Sequence, residues 1–103
     1  MDRLIRVDLV QKFILKFLDD NSFAIFEEGM AKENYSEALR GAHTVKGICQ
    51  NFSFSKLYES SNAVTQALKN SDYKLATELT PQFTADYWQT IHAIEEFKNS
   101  QET

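Results

Sequence analysis

Cysteine is nearly absent from this 103-residue chain: Cys49 stands alone, which excludes a fold framed by internal disulfides. Proline occurs once and glycine three times, too few to punctuate an all-β design or to build a collagen-like or low-complexity segment. Basic residues are outnumbered, with 11 Lys and Arg against 15 Asp and Glu. A net charge of −4 is the wrong sign for neutralising the phosphates of a duplex, so nucleic acid is not an expected partner. No apolar run approaches the roughly 20 residues that cross a bilayer, and no membrane association is expected. Charges also interrupt MDRLIRVDLVQKF, where a signal peptide would be unbroken and apolar. The expected location is the cytoplasm.

What is present is a composition 43% hydrophobic and 25% charged, in a length that supports one modest core. No internal repeat or linker divides the chain, so residues 1–103 are read as a single domain with a polar tail from about residue 98. Val10, Phe13, Ile14, Phe17 and Leu18 form an apolar stripe at helical spacing that stops near Asp19 and Asp20. Asn21 or Ser22 then has the chemistry to cap a second helix carrying Phe23, Phe26 and Met30. Periodicity leaves open whether these are two helices or one bent element.

Asn34 followed by Glu37 has capping-box spacing and opens a third segment with the stripe Ala38, Ala42, Val45, Cys49 and Phe52. Ser53 is the expected cap of a fourth, where Phe54, Leu57, Tyr58, Ser61, Val64 and Leu68 align. Asp72 is placed to cap a long last segment with Leu79, Phe83, Tyr87, Ile91, Ile94 and Phe97 on one side. Pro81 interrupts it, and the clash of its ring with the carbonyl of Thr77 predicts a kink or a restart, with Thr80 as the new cap. Short connections make neighbouring helices antiparallel. The expected fold is all-α: an antiparallel up-down four-helix bundle with an additional short N-terminal helix.

The third segment carries the candidate site. His43, Lys46, Gly47 and Gln50 cluster roughly 130° from the centre of the apolar stripe, facing water. Glycine in mid-helix costs about 1 kcal/mol against alanine, which asks for a compensating use. Imidazole in water titrates near about 6.5, and its neutral form offers a lone pair to an electrophile. Phosphorus is the plausible one, because helical side chains lean towards the N-terminus and bring the Lys46 ammonium over the turn holding His43. Gly47 has no Cβ to crowd the ring, leaving room for another protein's active site.

Other candidates read as structural. His92 falls almost opposite the apolar stripe of the last segment and belongs to the surface, and Cys49 belongs to the core. Two histidines and one cysteine on these faces make no metal site. The eight Phe, four Tyr and Trp88 fall mainly at helical spacing and read as packing. Leu39, between the core side and the His43 side, and Ile25, off its own stripe, are candidates for an apolar docking patch.

The stretch AHTVKG, Ala42 to Gly47, resembles the HxxKG signature of the histidine-containing phosphotransfer (HPt) domain, usually AHTLKG followed by small residues. The resemblance extends from about Leu9 to Phe97, through FILKFLDD, Asn34 where the family commonly has Asp, and Asn51 and Leu57 at familiar offsets. It implies an HPt-type bundle that accepts a phosphoryl group on His43 from a receiver aspartate or a histidine kinase and passes it to a response-regulator aspartate. In that reading Lys46 supports the phosphorylated state, while Gly47, Gln50 and Leu39 form the partner-binding face. Gln50 and Ser53 depart from frequent glycines of the family, and Val64 with Thr65 from a Leu and Glu pair.

Such a chain is a monomeric phosphocarrier with no turnover of its own. It needs no cofactor, and magnesium belongs to the receiver. No Gly-rich phosphate loop supports ATP chemistry. Two other readings are a helical bundle that docks receivers without carrying phosphate, and the dimerising histidine domain of a kinase.

Overall fold

The computed structural model describes residues 16–52 and 54–102, with side chains through Lys98 except that of Phe52. All the described regular structure is helical. After a helical turn at residues 16–19 come α1 (Ser22–Ala31), α2 (Tyr35–Phe52), α3 (Ser55–Lys69) and α4 (Tyr73–Glu102), each packed on the next. Val10, Phe13 and Ile14, with most of the proposed N-terminal helix, lie outside the described residues, as does Ser53. Among the described residues no helix is long and apolar enough to cross a membrane.

The turn at 16–19 and α1 are distinct elements, separated at Asp20 and Asn21. Neither Asn21 nor Ser22 supplies the cap: the Asp20 carboxylate accepts the Ser22 N–H at 2.8 Å, and Ser22 itself is buried. A carboxylate also suits the positive end of the helix dipole. The expected capping box at α2 is absent for a similar reason, since its side chains bond elsewhere. The Ser36 hydroxyl donates to Asn34 Oδ1 at 3.1 Å, and Glu37 holds Arg40. Asp72 does cap α4, accepting the Leu75 N–H at 3.2 Å.

Two connections share one design. Glu33 and Ser71 adopt φ of 57° and 59°, the left-handed conformation that ends a helix. In each, the next residue's N–H reaches back five positions, Asn34 to Gly29 and Asp72 to Ala67, both at 2.8 Å. The following residues, Tyr35 and Tyr73, then stack face to face with ring centroids 3.9 Å apart. The α1–α2 and α3–α4 turns therefore meet at one end of the molecule.

The α2 stripe of Ala38, Ala42, Val45 and Cys49 is fully buried. Small residues let α1 approach to backbone contact: a Cβ built on Gly41 would lie 2.4 Å from the Ser22 carbonyl oxygen, and one on Gly29 would lie 2.5 Å from the Ala38 nitrogen. Aromatic rings fill the space beside this contact. Phe23 stacks on Tyr87 at 4.0 Å and meets Phe83 edge-on at 5.1 Å, while Phe17 bridges Phe54 and Tyr87. On α3 the buried hydroxyls are satisfied locally, Ser61 donating to the Tyr58 carbonyl and Thr65 to that of Ser61.

Pro81 neither ends nor restarts the last helix, because α4 runs unbroken through it. Thr80 is no cap: its hydroxyl donates back to the Ala76 carbonyl at 2.8 Å. Thr77, whose carbonyl loses its usual donor to the proline, is exposed and can be served by water. Ala76 and Phe83, on either side and fully buried, hold the helix on its course. Further along α4, Asp86 is a buried carboxylate that the apolar pattern did not announce, and it accepts from Gln82 Nε2 at 3.0 Å.

Gly41→Ala should lower stability by about 1–3 kcal/mol, because the added methyl meets backbone that cannot step aside. Gly47→Ala, with nothing within 4 Å of its Cβ, should raise it by roughly 0.5–1 kcal/mol. Urea denaturation of both variants reads the two signs. Burial pushes the Cys49 thiol up to about 12 from 9.0, so the folded chain keeps it protonated where the unfolded chain ionises. Its contribution to stability should therefore be complete below about pH 9 and fade as pH rises towards 12. Cys49→Ala should remove that part of the alkaline slope, and native Cys49 should resist iodoacetamide at neutral pH until the chain is denatured.

Candidate functional site

Because α2 turns its small residues inward, its opposite side is free to carry polar chemistry. His43, Gly47 and Gln50 are exposed there, and Lys46 is half-buried. Lys46 makes no ion pair among the described residues, so its ammonium is uncommitted beside the imidazole one turn away. The space above Gly47 is empty to 4 Å, which leaves the approach to His43 open from that side. A half-buried lysine keeps its stem against the helix surface and its charge in water, a placement that restricts where the ammonium can go.

Gln50 stands at the edge of an open cleft of about 390 Å³ between α2 and α3, with Tyr58 and Glu59 on the other wall. Leu39 is half-buried and packs against the core cluster, so only part of its side chain is offered to a partner. Ile25 is likewise half-buried, and it lines a polar cleft with Glu28, Lys32, Glu37 and Arg40 instead of joining Leu39 in one apolar patch. Lys32 holds the Glu28 carboxyl below its usual range through a 2.6 Å contact. His92 is exposed on α4 and Cys49 is buried. No group of three or more His, Cys, Asp or Glu among the described residues could hold a metal ion.

Two features escape a reading of the chain by apolar period. Arg40, one turn before His43, is exposed and donates from Nε to Glu37 Oε2 at 2.8 Å. Its position three residues ahead of the histidine was the available signal. A mostly apolar groove of about 490 Å³ also opens between α3 and α4, lined by Phe54, Leu57, Ala93, Ile94 and Phe97. Phe54, Leu57, Ile94 and Phe97 continue the core stripes, while Ala93 and Phe97 are exposed and Phe54 is half-buried, which distinguishes the groove from the core.

Chemically, this face offers an accessible imidazole, an unpaired ammonium on the same helix and an unobstructed approach. The face is open and the cleft beside it at Gln50 is open too, which suits a group exchanged with another macromolecule better than a small substrate held in place. No protein-family model matches the chain, and no curated protein and no solved structure shows significant similarity to it.

Proposed function

We propose that the chain is a histidine phosphotransfer protein of a two-component phosphorelay, a single HPt-type domain working in the cytoplasm as a monomer. The observation that carries the reading is an exposed His43 in mid-helix, with unpaired Lys46 one turn on and open space at Gly47. An antiparallel bundle is the architecture that goes with it. The meeting of the α1–α2 and α3–α4 turns at Tyr35 and Tyr73 supports alternating helix directions.

In the proposed step an imidazole nitrogen of His43 attacks the phosphorus of a receiver's aspartyl phosphate. The new P–N bond forms as the P–O bond to the aspartate breaks; the carboxylate leaves, and the ring N–H proton passes to water. Return transfer to another receiver runs the same exchange in reverse. Lys46 offsets charge on the phosphoryl oxygens, Gly47 admits the partner, and Gln50 and Leu39 lie on the contact face. Magnesium is the receiver's contribution, and the chain itself performs no turnover.

Incubation with phosphorylated receivers from the same organism, followed by intact-mass measurement, should reveal one acid-labile phosphoryl group per chain, absent from His43→Gln. A folded monomer that takes up none from an active donor pool would leave a docking bundle without phosphate chemistry, and a dimer in solution would favour a kinase histidine domain. Lys46→Ala should keep the fold and slow transfer roughly three- to tenfold, the scale of one charge-assisted contact at a surface. Gly47→Leu should abolish receiver binding while helicity by circular dichroism stays level or rises. Binding that survives this bulk would remove access from the role of Gly47.

A further inference from the structure

Glu37, Arg40, His43 and Lys46 recur at every third position of α2 and so form one ridge, in which each side chain neighbours the next at about 5–6 Å between Cβ atoms. Side chains on a helix lean towards its N-terminus. A group carried on the His43 ring is therefore directed over the turn of Arg40, while Lys46 leans back towards the ring from the other side. The histidine lies between two cations, and the two are held differently.

Lys46 has no ion pair among the described residues. Arg40 is tied through Nε to the Glu37 carboxylate at 2.8 Å, in a pair whose side chains are 62% and 45% exposed. An ion pair this open to water is weak and easily exchanged. A phosphoryl group brings more charge than one carboxylate and three acceptor oxygens, and it matches the planar fork of a guanidinium. We propose, resting on the phosphocarrier reading, that Arg40 is a second phosphoryl-binding cation, held by Glu37 while His43 is unmodified and drawn to the phosphohistidine once the group is loaded. Glu37 is then a positioning residue that competes for Arg40. From α1 the Glu28–Lys32 ion pair lines the cleft shared with Glu37 and Arg40, and from α3 Glu59 lines the cleft at Gln50.

A readout confined to the phosphoryl group tests this. In a His92→Gln background, His43 is loaded from phosphoramidate: the donor's P–N bond breaks, the ring nitrogen takes the phosphorus, and ammonium leaves carrying the ring proton. The titration of the phosphoryl group is then followed by phosphorus NMR at low salt. A nearby cation favours the dianion, so Arg40→Gln should raise the midpoint by a few tenths of a pH unit and Glu37→Gln, which frees Arg40, should lower it. Arg40→Lys should restore part of the shift. In the double variant Glu37→Gln should lose most of its effect, because no guanidinium remains to be released. Equal midpoints in all variants would overturn the proposal, as would an effect of Arg40→Gln confined to receiver transfer. Failure of the phosphocarrier reading shows separately, as a His43 that phosphoramidate loads but no receiver fills or empties.

Discussion

The close approach of α1 to α2 sets the orientation on which the rest depends. At Gly29 and Gly41 the two helices touch through backbone atoms, with no room for a Cβ on either side. Contact at that range permits little rotation of one helix against the other. It turns Ala38, Ala42, Val45 and Cys49 into the core, and a helix with that side buried must present His43, Gly47 and Gln50 to water. The exposure of the candidate nucleophile is thus a consequence of Gly41 on the opposite side of the same helix and of Gly29 facing that helix from α1. Gly41 and Gly47 lie six residues apart with opposite uses, one closing a contact and the other leaving one open.

Against an overall charge of −4, the ridge through Arg40, His43 and Lys46 gathers two cations around an imidazole. Arg40 is partly neutralised by Glu37 and Lys46 is not. A local positive field favours anionic groups at that face. This is the electrostatic setting a phosphoryl carrier requires, and it involves only exposed side chains whose adjustment leaves the core undisturbed. The aromatic cluster of Phe17, Phe23, Phe26, Phe83 and Tyr87 keeps the scaffold rigid beneath it. Burial there, with the charges of Asp20 and Glu27, pushes the Tyr87 phenol above its ordinary value.

Much of the fold was legible because the apolar stripes are strong. α1 begins one residue before Phe23, α2 three before Ala38 and α3 one after Phe54, where their apolar periods start, and α4 begins directly after Asp72, which caps as its position suggests. The errors share a cause. Residue type points to Asn21, Ser22 and the Asn34–Glu37 pair as caps, yet Asp20 takes the Ser22 N–H, and Asn34 and Glu37 bond instead to Ser36 and Arg40. Pro81 predicts a break from its cost to an isolated helix, but burial of Ala76 and Phe83 on either side outweighs one missing donor. The matching turns at Glu33 and Ser71 went unseen because neither has the glycine that usually marks a left-handed residue.

Local chemistry along the chain determined that it is helical, which stripe of each helix is apolar, and that His43, Lys46, Gly47 and Gln50 lie on the polar side of α2. These follow from a repeat of 3.6 residues and need no knowledge of any neighbour. Only the tertiary structure decided that Gly29 and Gly41 are contact points, that Leu39 is half occupied by packing, that Arg40 is held by Glu37 while Lys46 is unpaired, and that a groove opens between α3 and α4. Each of these depends on the distance between groups set by the packing of helices or the rotamers of exposed side chains, and periodicity carries no information about either.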